Sequence, residues 1–349
     1  MTEIRLTEYT HGGGCGCKIA PSVLANILSS LAPNVSDPNL IVGNEHFDDA
    51  AVYRINETQS IVSTTDFFTP IVNSPHDFGR IAAANAISDI YAMGARPILA
   101  LSIVCMPIKK IDTATIRSIL NGGAEICSKA GIAVAGGHSI DSEEPIYGLA
   151  VNGLTNTTNI KTNRGARPRD RIILGKPLGI GILSNNLKKL TISDSAYGKM
   201  IRYTTRLNTP GIRLGSIEGV HAMTDVTGFG LLGHLLEICR ASGLSARLNW
   251  ESIPLISEAL DYAKGGSATG ASDRNWQSYG ERVRLPENAP EWMRNLLTDP
   301  QTSGGLLVAV SEDEANRVLD IFREEDFEEA EVIGEFCPSI NESEVSVHL

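Results

Sequence analysis

The stretch Ile81-Ala-Ala-Ala-Asn85-Ala-Ile-Ser-Asp89 constrains this chain more than any other. Its small side chains suit a helix that packs closely against a sheet or a second helix. Asn85 and Asp89 are four residues apart, so they share one face of that helix. The start is well marked, with Ser74 at the N-cap, Pro75 at the first helical position and Asp77 in the first turn. The helix is predicted to run to about Met93 and to stop at Gly94.

Strand and helix signals alternate on both sides of it. Ser60–Thr65 is β-branched and reads as a strand ending on Asp66. Pro97–Cys105 reads as a buried strand, 112–130 as a helix closed by Gly131, Ile132–Ala135 as a strand, and Gly136-Gly137-His138-Ser139 as a loop. Another strand covers about Tyr147–Leu154. Upstream, Pro21–Leu31 has apolar residues at helical spacing. Residues 155–171 are polar, with Lys161, Arg164, Arg167 and Arg169, and read as a solvated connector.

The second half opens on Arg171-Ile-Ile-Leu174. Ala222–Asp225 leads through Gly228-Phe-Gly230 into a helical pattern. Residues 265–280 read as a Gly/Ser loop carrying Arg274 and Asn275, and Leu306–Val310 as a strand. Ser311 and Glu314 have the spacing of a capping box. The mixture predicts an α/β or α+β architecture in two units, consistent with 349 residues.

The net charge of −11 argues against general nucleic-acid binding. The longest apolar run, 97–108, is far short of the roughly 20 residues that span a bilayer. The first ten residues lack a signal-peptide core. Apart from Cys15 and Cys17, the cysteines stand singly in apolar surroundings, as reduced core thiols of a cytoplasmic protein do.

Asp49, Asp66, Asp89 and Asp225 each lie at or beside the end of an apolar element. Carboxylates so grouped suit Mg²⁺, a hard ion that takes oxygen ligands and shares them with phosphates. The Gly-rich segments at 136–139, 228–230 and 304–305 would let backbone N–H groups approach phosphate. No P-loop and no Gly-x-Gly-x-x-Gly run is present. His138 reads either as a ligand contact or as a loop histidine bonded to its neighbours, and His234 as packing or capping.

Near the start, His11-Gly-Gly-Gly-Cys15-Gly-Cys17-Lys18 places two thiols and an amine behind three glycines. Such an arm suits chemistry on a metal, a disulfide, a sulfur compound or a selenium compound. Lys18 would favour thiolates or contact a triphosphate.

Together these segments resemble the selenophosphate synthetase (selenide, water dikinase) family. The resemblance is carried by His11–Lys18, Asp48-Asp-Ala-Ala-Val52, Thr64-Thr-Asp-Phe-Phe68, Asn85–Ile90, Ala135–Asp141, Lys176–Gly181, Thr224–His234 and Asp299-Pro-Gln-Thr-Ser-Gly-Gly305, in order over nearly the whole chain. It implies the two-domain fold of the aminoimidazole ribonucleotide synthetase superfamily, with a mobile arm at 1–20, an ATP- and Mg²⁺-binding domain at 21–157 and a C-terminal domain at 158–349. It also implies a homodimer paired through the N-terminal sheets.

The implied reaction converts ATP, selenide and water to selenophosphate, AMP and phosphate. Cys15 and Lys18 match catalytic positions, and Asp49, Asp89 and Asp225 match metal ligands. Lys18, His46, Phe47, Asp48, Asp66, Asp89, Gly137, His138 and Ser139 match positions around the nucleotide. Mg²⁺ is the implied cofactor, K⁺ a candidate activator and a selenium-delivery protein a candidate partner. Gly13 stands where the family often has alanine, which predicts a looser arm. The alternatives are another ATP-using kinase or synthetase of the superfamily, or a non-catalytic thiol or metal carrier.

Overall fold

A computed structural model describes residues 5–10, 12–18, 23, 27, 37–43, 46–339 and 344–349, the side chains of Cys15 and Cys17 excepted. The helix expected at 21–31 lies mostly outside the described residues. Val23 and Ile27 are helical, with half-exposed side chains.

The first sheet contains β1 (Leu40–Val42), β2 (Ala51–Arg54), β3 (Gln59–Phe68), β4 (Arg96–Met106), β5 (Ala133–Asp141) and β6 (Ile146–Asn156). Their spatial order is β1-β2-β3-β6-β4-β5, and only the β4–β5 pair is parallel. One face is covered by α1 (Pro75–Ala92) and α2 (Thr113–Lys129).

Helix α1 follows its sequence signals closely. Ser74 Oγ accepts from Asp77 N–H, and Pro75 occupies the first turn. The helix is buried almost all round, from Phe78 to Ala92, with Ala82, Ala83, Ala84 and Ala86 against the sheet and its neighbours. Glycines set the approach of α2. A Cβ on Gly79 would fall 1.9 Å from Ile119 O, and one on Gly122 2.0 Å from His76 O.

The second sheet contains β7 (Arg171–Leu174), β8 (Val220–Asp225), β9 (Leu244–Asn249), β10 (Val283–Arg284), β11 (Leu306–Val310), β12 (Glu331–Pro338) and β13 (Val345–His348). Its order is β10-β13-β9-β12-β7-β11-β8. Helices α3 (Ile180–Lys188), α4 (Asp194–Thr204), α5 (Pro210–Gly215), α6 (Gly230–Ser242), α7 (Ser257–Lys264), α8 (Gly270–Tyr279), α9 (Glu291–Leu297) and α10 (Ala315–Glu324) surround it. Alternation along β11 divides the core. Leu307 and Ala309 pack with Leu231, Leu235 and Ile238 of α6, whereas Leu306, Val308 and Val310 pack with Val318 and Phe322 of α10.

Four local expectations change. Residues 136–139 are not a loop but the middle of β5. A register shift against β4 lies beside them, and a Cβ on Gly137 would fall 2.1 Å from Ser102 O. These glycines keep a strand close to its neighbour. Residues 270–279 form α8, capped by Thr269, whose Oγ1 accepts from Ser272 N–H at 3.1 Å. Ser311 and Glu314 make no capping box, because they close a turn and α10 starts only at Ala315. Lys161 is not solvated. Its side chain is buried and its ammonium donates to Ile217 O at 3.0 Å and Val220 O at 2.7 Å.

Candidate active site

The end of β8, the polar face of α1 and the loop before β2 converge between the two sheets. One oxygen from each of Asp49, Asp89 and Asp225 lies within 4.8 Å of the others. Neighbouring hydroxyls orient each carboxylate. Thr64 Oγ1 of β3 donates to Asp89 Oδ2 at 2.5 Å, and Thr224 Oγ1 donates to Asp49 Oδ1 at 2.9 Å. Ser88 Oγ donates to Asp225 Oδ2.

Burial raises the pKa of all three carboxyls. Mutual repulsion adds to this, with Asp225 acting on both Asp49 and Asp89. An all-oxygen donor set whose charges repel each other is the chemistry a hard divalent cation relieves. The residues therefore fit Mg²⁺.

Asp66 lies on the α1 side of β3 and accepts from Asn85 Nδ2 at 2.6 Å. Lys18 Nζ stands 3.9 Å from Asp66 Oδ2, and its charge also lowers the pKa of Asp89 and Asp225. The amine therefore sits at the rim of the acidic cluster, with its side chain 40 % exposed.

The segment His46-Phe47-Asp48 is fixed by Asn163, a buried residue of the connector. Asn163 N–H donates to Asp48 Oδ1 at 2.7 Å, and its side-chain amide donates to the His46 and Phe47 carbonyls at 3.3 and 3.1 Å. Phe47 itself has φ +55° and a half-exposed ring.

The arm is docked where it is described. Gly14 N–H donates to Thr69 O at 2.9 Å, Arg274 Nη2 to Gly16 O at 3.0 Å, and Lys188 Nζ to Thr10 O at 3.2 Å. A Cβ on Gly13 would fall 2.9 Å from Pro70 O, and one on Gly14, at φ +57°, 2.5 Å from Thr302 Oγ1. These glycines serve close seating as well as freedom. Cys15 lies in the short 3-10 turn Gly14–Cys17, with its side chain, like that of Cys17 and all of His11, outside the described residues.

The structure does not bring every site residue together. Gly137, His138 and Ser139 are exposed on β5, three strands from β3, or about 14 Å at the usual strand spacing. Gly304 and Gly305 pack against Val226 O and Lys176 N, so neither lines an open cradle. His234 is buried, with Nε2 3.2 Å from Thr227 Oγ1 and Nδ1 2.9 Å from Glu237 Oε2. Sequence reasoning missed Thr64, Ser88, Asn163 and Asn208. Thr64 lies two residues before Asp66, and that adjacency was the available signal.

Residues 47–155 match the AIR synthase related protein N-terminal domain, and residues 167–344 match the corresponding C-terminal domain. The chain is 54 % identical over 335 residues to the selenide, water dikinase of Dechloromonas aromatica (strain RCB), covering 96 % of each. It is 53 % identical over 344 residues to that of Paraburkholderia xenovorans (strain LB400), covering 99 % of this chain and 97 % of the relative.

The chain belongs to the selenide, water dikinase family.

Solved structures agree on the family fold. A thiamine-monophosphate kinase from Stenotrophomonas maltophilia K279a superposes with a TM-score of 0.64 at 19 % identity, covering 95 % of this chain and 96 % of that one. A hydrogenase maturation protein HypE gives 0.61 at 18 % identity, covering 87 % and 86 %. Those likenesses concern fold. The near-complete match to dikinases is what separates this chain from the other kinases and from a non-catalytic carrier.

Proposed function

We propose that the Asp49–Asp89–Asp225 cluster, Lys18 and the arm bearing Cys15 carry out the dikinase reaction on ATP, selenide and water, yielding selenophosphate, AMP and phosphate. As a member of its family, the chain is a selenophosphate-forming phosphotransferase. The observation that carries the site assignment is the meeting of three carboxylates within 4.8 Å beneath the ammonium of Lys18.

Phosphoryl transfer needs charge neutralisation and alignment more than covalent help from the protein. Asp49, Asp89 and Asp225 would hold Mg²⁺, which when bound offsets phosphate charge. Lys18 adds a positive charge at the rim, held against Asp66. His46, Phe47 and Asp48 form a fixed wall through Asn163. A seated arm would exclude water from the cleft, and we assign Cys15 the selenium-handling role. K⁺ is a candidate activator.

The boundaries we assign are 1–20 for the arm, 21–157 for the nucleotide-binding domain and 158–349 for the C-terminal domain. Gly137, His138 and Ser139 reach a nucleotide only from another copy of the chain. Support for a homodimer comes from the uncovered face of the first sheet, where Phe67, Leu101 and Ile140 are exposed. We place the enzyme in the cytoplasm. Cys105, Cys127, Cys239 and Cys337 are free thiols, and among the described residues no helix is long and apolar enough to cross a membrane. A selenium-delivery protein remains the candidate partner.

The test is Cys15→Ser. Selenide-dependent turnover is expected to vanish while ATP binding, measured by calorimetry, is retained. Undiminished selenophosphate formation would remove Cys15 from this role.

A further inference from the structure

Asp225 is the one cluster carboxylate that comes from the second half of the chain, and a chain of buried hydrogen bonds fixes its orientation. Ser88, on α1, is 1 % exposed, as are Asn208 and Asp225. Asn208 Nδ2 donates to Ser88 Oγ at 2.7 Å and to Gly304 O at 2.8 Å. Ser88 Oγ donates to Asp225 Oδ2.

Proton directions in this chain are fixed by elimination. Gly304 O is a carbonyl and can only accept, so the Asn208 atom facing it must be the amide nitrogen. The same nitrogen faces Ser88, so the Ser88 oxygen accepts there. Its single proton is then left for Asp225. Asn208 Oδ1 is buried without a hydrogen-bond partner among the described residues. Leaving a buried acceptor unmatched is costly, so the amide is held for what its nitrogen does.

We infer that Asn208 and Ser88 form a relay that positions Asp225 for a divalent cation. Asn208 sets the hydroxyl rotor of Ser88, and Ser88 occupies Oδ2 of Asp225 with a charge-assisted bond, leaving Oδ1 for metal. Both are positioning residues. The inference rests on the reading of Asp225 as a metal ligand. Outer-sphere partners of this kind change metal affinity by about 10–100-fold when removed.

The relay also explains why Ser88 and Asp89 are adjacent on α1. One helical segment supplies a ligand and orients a second ligand across the interface with β8.

The test is a double-mutant cycle read by Mn²⁺ binding in electron paramagnetic resonance titrations, with no turnover involved. Ser88→Ala and Asn208→Ala are each expected to weaken Mn²⁺ binding about 10-fold. The double variant is expected to bind no more weakly than Ser88→Ala, because Asn208 acts only through the Ser88 hydroxyl. Additive losses, or unchanged affinity in Asn208→Ala, would overturn the relay. If Asn208→Ala does not fold, Ser88→Ala decides alone, and unchanged affinity there would overturn it. A wild-type protein that binds no Mn²⁺ would overturn the cluster reading itself, and the relay with it.

Discussion

Asp225 is pulled in two directions, since burial favours its neutral acid while the Ser88 hydroxyl favours the carboxylate. Asp49 and Asp89 are raised for the same first reason, burial, and then by the charge of Asp225, to which Asp89 adds at Asp49 and Asp66 adds at Asp89. A carboxyl whose pKa is higher in the fold than in the unfolded chain keeps a proton that the unfolded chain has lost. Metal-free protein should therefore lose stability from these groups as pH rises from about 4 toward the raised values. A divalent cation favours the ionised form, so the melting-temperature gain on adding Mg²⁺ should grow between pH 5 and pH 8. A gain that is flat or falling across that range would contradict this. Asp225→Asn should abolish the Mg²⁺-dependent gain. The same change should raise the melting temperature of metal-free protein at pH 8 by about 1–2 °C, corresponding to about 1 kcal/mol, as measured by differential scanning calorimetry.

Helix α1 and the arm show how glycine spacing builds the site. Gly79→Ala would drive a methyl group into the Ile119 carbonyl, and a loss of about 1–3 kcal/mol is expected from overpacking, read as a lower urea midpoint. Gly14→Ala meets both a left-handed backbone and Thr302 Oγ1. That change should unseat the arm without loosening the core, giving faster tryptic cleavage after Lys18 and at least a ~10-fold fall in turnover. Helix α1 was legible because its cap, its proline and its run of alanines are local signals. The strand character of 136–139 was not, because pairing with Ser102 on β4 is non-local and glycine pairs read as turns. Ser88, Asn163 and Asn208 were equally hidden. They are ordinary polar residues whose partners at the site lie 96 or more positions away, and nothing in their spacing announces a contact. The aspartates were legible because each lies at or near the end of an element, although only the fold shows that Asp49, Asp89 and Asp225 meet while Asp66 pairs instead with Asn85 and Lys18.

At the scale of the whole molecule, two sheets bring α1 against β8, and the cluster lies at that junction. The second copy we propose should cover Phe67, Leu101 and Ile140. Light scattering should then give a mass twice the 37.4 kDa of one chain, and Leu101→Glu should shift it toward monomer. A wild-type mass of one chain would contradict the pairing and leave Gly137, His138 and Ser139 outside the site. The most direct measurement is anaerobic turnover of Mg²⁺–ATP followed by ³¹P NMR, with and without selenide. The account predicts selenophosphate, AMP and phosphate in equal amounts with selenide present, and loss of all three in Asp225→Asn. AMP released at the same rate without selenide, or ADP accumulating as the final nucleotide, would contradict it.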